Sequence, residues 1–262
     1  MKRMIRWIII PVTALIYFSS PSRGDAVYLL VDHRAVGGFS LIPGEDFDRI
    51  RAHFNIYYGH TSHGSQLVTG MGILENEDDG SIPGRYDRPL LYEDDPDLGY
   101  PEWETKTRNH LNSYPQTNLV IWSWCGQLSS YTASEVNDYL NRMNQLEQDY
   151  PQVTFVYMTG HLDGTGSLGT LNLNNEAIRS YCRTGQKILF DFADIESHDP
   201  DGNFYPDGSD GCEWCSSWCE SRPCPTCTEE CAHSQCINCY NKGKAFWWML
   251  HSLIPQPTGS AG

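Results

Sequence analysis

Four short apolar runs, spaced along the middle of the chain, constrain its fold more than any other feature. They occupy residues 54–58, 119–125, 154–159 and 187–192, and each is the length of a buried strand, not of a helix. Helical patterns lie around them. Residues 132–150 open with Thr132 and Glu135 at the spacing of a capping box. Val136, Leu140, Met143, Leu146 and Tyr150 then recur at helical spacing. Residues 172–183 repeat the pattern with Leu173, Ala177, Ile178 and Tyr181, and residues 44–53 and 243–253 read as two more helices. A further short strand is expected at 27–31. Strands alternating with helices predict an α/β fold, a parallel sheet flanked by helices. In such sheets functional groups gather beyond the carboxyl ends of the strands, which here means residues 59–66, 125–129, 160–166 and 193–201.

A chain of 262 residues buries a full core without covalent staples, so its ten cysteines need a separate reason. Eight fall within 212–239, as Cys212-x2-Cys215-x3-Cys219, Cys224-x2-Cys227-x3-Cys231 and Cys236-x2-Cys239. Disulfides are expected, with zinc bound by thiolate knuckles as the alternative for the same spacing. The N-terminus favours disulfides. Lys2, Arg3 and Arg6 precede an apolar stretch at 7–18 and a small, polar stretch at 19–26, the layout of a secretory signal peptide. The expected organisation is a signal peptide, 1–26, then a single domain, 27–262, with the cysteine-rich patch inserted before the last helix. The mature protein is expected to be secreted or periplasmic, with no stable membrane insertion. The formal net charge of −15 excludes nucleic acid as a partner and makes an anionic membrane a poor one. Residues 75–104 carry eleven of the acidic side chains and only two basic ones, and read as a solvated excursion.

The first functional loop runs Gly59-His60-Thr61-Ser62-His63-Gly64. A serine on a glycine-flanked turn after a buried strand is placed as a nucleophile needs to be. His60 and His63 are alternatively metal ligands. The order of these elements resembles the SGNH (GDSL-type) hydrolases. The serine block maps to Gly59-His60-Thr61-Ser62, the oxyanion block to Cys125-Gly126-Gln127, and the C-terminal block to Glu230-Cys231-Ala232-His233. The family's Gly-Asp-Ser is replaced here by Gly-His-Thr-Ser, and its oxyanion asparagine by Gln127. The resemblance implies a flavodoxin-like three-layer fold and acyl transfer to water. Ser62 is then the nucleophile, His233 the base and Glu230 its carboxylate, with Asp191 and Asp194 as rivals for that role. The N–H groups of Ser62 and Gly126 and the Gln127 side chain hold the oxyanion. No cofactor is required for that chemistry.

Three further groups enter the expectation. Asp199, Asp201, Asn203, Asp207 and Asp210 alternate as oxygen ligands do around calcium, without the glycine an EF-hand loop requires. His161, in the loop after the third run, is expected to touch substrate or to replace His233 as base. Trp124 is expected to line the site and stack on a sugar ring. The function expected is therefore an exported serine esterase acting on a small-molecule or carbohydrate ester. A metal-dependent hydrolase built on His60, His63 and His161, and a non-catalytic binding protein of the same fold, are the rival readings.

Overall fold

The computed structural model describes residues 28–77 and 84–255. The expected signal peptide lies outside the described residues. Six strands form one sheet: β1 (Leu29–Val31), β2 (Asn55–Gly59), β3 (Leu90–Asp94), β4 (Leu119–Trp122), β5 (Thr154–Met158) and β6 (Ile188–Phe190). Every pairing is parallel and the order is β3-β2-β4-β5-β6-β1. The helices are α1 (His33–Gly38), α2 (Gly44–His53), α3 (Ser62–Asn76), α4 (Trp103–Ser113), α5 (Ala133–Asp149), α6 (Thr170–Thr184), α7 (Phe192–Glu196), α8 (Glu213–Cys219) and α9 (Cys236–Leu253).

Side chains alternate across each strand, so the sheet feeds two cores. Ile56 and Tyr58 of β2, Ile121 of β4 and Met158 of β5 pack with α1, α2, α3 and α9. Tyr57, Val120, Trp122 and Tyr157 point the other way, into α4, α5 and α6. The expected three-layer α/β arrangement is what forms. The capping box of α5 is present, with Thr132 accepting from the Glu135 backbone and Glu135 reaching back to Thr132. β3 lies in the acidic stretch read as a solvated excursion. It is an edge strand with Leu90 exposed, and an edge strand needs no continuous apolar run.

The last helix starts at Cys236, well before residue 243 where apolar periodicity begins. Its early turns sit within the cysteine patch and cross α3 at backbone contact. A Cβ on Gly70 would lie 1.9 Å from the Cys239 carbonyl oxygen, and one on Gly243 2.4 Å from the Gly70 carbonyl carbon. All eight patch cysteines are paired, as Cys212–Cys215, Cys219–Cys224, Cys227–Cys236 and Cys231–Cys239. The zinc alternative is thereby corrected, because these sulfurs are spent on one another. Four disulfides fit a protein that matures outside the reducing cytosol. Among the described residues no helix is long and apolar enough to cross a membrane.

Candidate active site

Only His60 and Thr61 separate the end of β2 from helix α3, which brings Ser62 and His63 to the carboxyl edge of the sheet. Two close approaches fix that start. Gly64 leaves room for Ser123, whose Oγ would lie 2.2 Å from a Cβ there. The buried Tyr58 hydroxyl donates to the Gly64 carbonyl at 2.8 Å. The N-cap, Thr61, gives its helix no side-chain hydrogen bond; its hydroxyl donates to Asp97 Oδ2 instead, at 2.5 Å. The N–H groups of Ser62, His63 and Gly64 accordingly carry no hydrogen bond within the described residues.

β4 ends beside β2 and delivers Cys125 to the same place. Cys125 Sγ lies 3.2 Å from His63 Nδ1 and 3.6 Å from Ser62 Oγ. The other nitrogen of the same imidazole, Nε2, lies 3.0 Å from Asp210 Oδ2. A thiol, an imidazole and a carboxylate thus stand in line. His63 is nearly buried and packs between two other rings, His161 at a centroid distance of 3.9 Å and His233 at 4.4 Å. Burial lowers the His63 pKa, and the neighbouring His161 and His233 lower it further, against the hydrogen bond to Asp210. A neutral imidazole, able to accept a proton, is the form favoured at pH 7.

The surrounding contacts position these groups. Gln127 Oε1 accepts from the Cys125 N–H at 2.9 Å, while its Nε2 donates to Asp97 Oδ1 at 3.0 Å. Asp97, 5% exposed, therefore ties the loop after β2 to the loop after β4. Deeper, Lys242 and Glu196 form a pair with both side chains fully buried, Nζ to Oε1 2.7 Å. Glu196 Oε2 accepts from the Leu162 N–H at 2.7 Å, beside His161. Lys242 also donates to Gln66, whose amide donates to the Ala232 carbonyl at 2.6 Å, beside His233. One buried ion pair therefore braces the loops carrying the two outer rings. His233 itself is held at φ 61°, a left-handed conformation that a non-glycine residue keeps only under constraint from its surroundings. A cavity of about 590 Å³ opens beside it, walled by Pro225, Glu229, Glu230, Ile237 and the Cys219–Cys224 and Cys227–Cys236 disulfides.

Ser62 touches Cys125 and the rings of His161 and His233 flank His63, contacts that differ from those the resemblance implies. His63, not His233, is hydrogen-bonded to a candidate nucleophile, and among the described residues Ser62 Oγ meets no histidine nitrogen. Glu230 makes no hydrogen bond to His233; its backbone carbonyl accepts from Thr69. The Gln127 amide accepts from the Cys125 N–H and donates one hydrogen bond to Asp97. Gly126 faces open space. His60 turns to Glu93, 3.0 Å away, so it does not converge with His63 on a metal. Trp124 is 2% exposed, donates to the Met158 carbonyl at 3.0 Å, and belongs to the core.

The calcium set is dispersed. Asp199 accepts from the Asp201 and Asn203 N–H groups, the Asn203 side chain and the Tyr205 hydroxyl. Asp201 pairs with Arg222, and Asp210 serves His63. A turn that satisfies itself in this way leaves few oxygens to aim at a cation. Asp191, a rival carboxylate, pairs with Arg179; Asp194, the other, pairs with His33. Cys125 and Asp97 were the residues sequence reasoning missed. Cys125 had a signal: with eight cysteines in a repeat, Cys125 and Cys182 are left over, and of the two Cys125 stands at the end of a core-strand run. Asp97 had none, lying in a stretch whose many acids look alike. Comparison of the sequence with family models and with curated proteins finds no match to either.

Proposed function

We propose that this chain is an exported hydrolase that cleaves esters through a covalent acyl-enzyme, with Cys125 as nucleophile, His63 as base and Asp210 as the group that orients it. The observation that carries the reading is the double engagement of one imidazole, 3.2 Å from a thiol and 3.0 Å from a carboxylate. That is the geometry of nucleophile, base and orienting acid. His63 Nδ1 takes the Cys125 proton as sulfur attacks the carbonyl carbon. The proton then passes to the departing alcohol as its bond to that carbon breaks. Water, deprotonated by the same nitrogen, hydrolyses the thioester and frees the acid and the thiol. The unbonded N–H groups at the start of α3 supply donors for the oxyanion. The sheet order, with the two reactive loops after β2 and β4, supports a relationship to SGNH hydrolases. The reacting residues differ from that family's serine and C-terminal histidine. With Trp124 in the core, nothing argues for a sugar, and the substrate class proposed is an ester.

The test is hydrolysis of p-nitrophenyl acetate by the mature chain. Cys125→Ala and His63→Gln should each lower kcat/KM by about 10² or more. Ser62→Ala should cost less than about tenfold, the scale of a lost contact rather than of a lost nucleophile. Full activity in Cys125→Ala would reject the proposal. A metal-dependent hydrolase is the second reading, because ligand atoms of His63, Asp210 and His233 all lie within 4.8 Å of one another. Loss of activity in chelator, restored by zinc, would favour it.

A further inference from the structure

A second histidine cluster lies at the other end of the same sheet edge. Among the described residues β1 pairs only with β6, so the segments that follow these two strands emerge side by side. The first carries His33, opening α1. The second carries Asp194 and His198, in and just after α7. His33 Nδ1 lies 2.5 Å from Asp194 Oδ1, and the His33 backbone N–H donates to the same oxygen at 2.9 Å. His198 stacks on His33, with ring centroids 3.7 Å apart and 13° between planes. Its Nδ1 hydrogen-bonds the Asp194 carbonyl oxygen at 2.8 Å, and the tautomer that donates there leaves Nε2 with a free lone pair.

We infer that His33, Asp194 and His198 form a binding site for a divalent transition metal, zinc being the first choice. Three points carry this. Ligand atoms of the three residues all lie within 4.8 Å of one another; a tetrahedral set with bonds of about 2.0–2.1 Å needs separations near 3.3 Å, and the two stacked rings must turn apart for their in-plane lone pairs to meet at one ion. Two imidazoles and one carboxylate are the donor types that zinc and its neighbours prefer to calcium or magnesium. The cluster is half-buried and opens on a cavity of about 500 Å³, with His33 and His198 in its wall. That opening leaves room for a fourth ligand, water or a substrate atom. The ion pair with Asp194 accounts for His33, while His198 is held by hydrogen bonds to the Asp194 carbonyl and the Ser197 hydroxyl and by its stack on Phe204. The inference is independent of the role proposed for Cys125, because the two clusters share no residue.

The experiment is zinc binding by the mature chain in a His63→Asn background, which disables the other three-ligand cluster. Titration against a chromophoric chelator should give one equivalent of zinc per chain, and cobalt should give the visible bands of a four-coordinate site. His198→Gln and Asp194→Asn should each weaken zinc binding at least tenfold, with unchanged circular dichroism. No zinc bound in the His63→Asn background, or binding that survives both substitutions, would overturn the inference. A loss of fold in one variant leaves the other, and the cobalt spectrum, to decide.

Discussion

Replacing Lys242 with methionine isolates the buried charge beneath the site. Methionine keeps most of the side-chain volume and the unbranched stem, so the packing over Phe192, 3.9 Å from Nζ to the ring centroid, changes little. The ammonium lost is fully buried, as is its partner Glu196. Glu196 keeps the Leu162 N–H at 2.7 Å and a long contact to Asn238 at 3.4 Å, which does not compensate a carboxylate away from water. Removing one partner of a buried pair costs about 3–5 kcal/mol. In a domain whose whole stability is about 5–15 kcal/mol, that is a large fraction. Urea unfolding of the mature chain with its disulfides intact should show the loss as a lower midpoint with an unchanged slope. The double variant Lys242→Met/Glu196→Gln should recover about half of it or more, since the amide still accepts from Leu162 and no charge is stranded. A cost below about 1 kcal/mol for the single variant would refute the reasoning and mean that water reaches Glu196.

Gly70→Ala should destabilise by about 2 kcal/mol or more, because the new methyl meets backbone that neither helix can move aside. Gly72→Ala, on the same helix with nothing within 4 Å of the added Cβ, should stabilise by about 0.5–1 kcal/mol in the same melts. Thiol titration without reductant should find two reactive cysteines per unfolded chain, Cys125 and Cys182. In the folded chain Cys125 should react first, since Cys182 is fully buried and its thiol is pushed up by that burial; more than two would contradict the four disulfides. The lowered His63 pKa sets a sign. The unfolded chain binds that proton more readily, so the His63 contribution is lost as pH falls below the ordinary histidine value of about 6.5. Thermal melts should show His63→Gln flattening that acid-side loss, and kcat/KM should keep its plateau to a lower pH than an unperturbed histidine allows.

The sheet and four of the nine helices among the described residues, α2, α5, α6 and the later part of α9, were legible from local pattern: α5 fills almost the whole range that its capping box and apolar spacing give it. β3 was not, because an edge strand such as Leu90–Asp94 carries only part of the apolar signal of a central one. The start of α9 was hidden for a different reason. Cys236 and Cys239 read as part of a disulfide loop, while their backbone is already helical. At the site the carboxyl-edge rule located the loops that carry Ser62, Cys125 and His161, whereas His233 came from the C-terminal block of the resemblance and Asp210 lies outside the loops the rule named. Pairings did not follow, because they depend on distance between loops far apart in sequence. Asp210, grouped by local spacing with Asp199 and Asp201, serves His63, 147 positions away along the chain. Gln127 resembled an oxyanion donor by position, and only its two hydrogen bonds reveal that it holds the Cys125 backbone.

The central claim is that Cys125 forms the covalent intermediate. The mature chain, mixed with p-nitrophenyl acetate and quenched in acid within a turnover, should carry one acetyl group. Peptide mass mapping should place it on Cys125 as a hydroxylamine-labile thioester, and the label should vanish in Cys125→Ala and fall sharply in His63→Gln. An acetyl group on Ser62, or turnover of the ester with no acyl group on Cys125, would contradict the account.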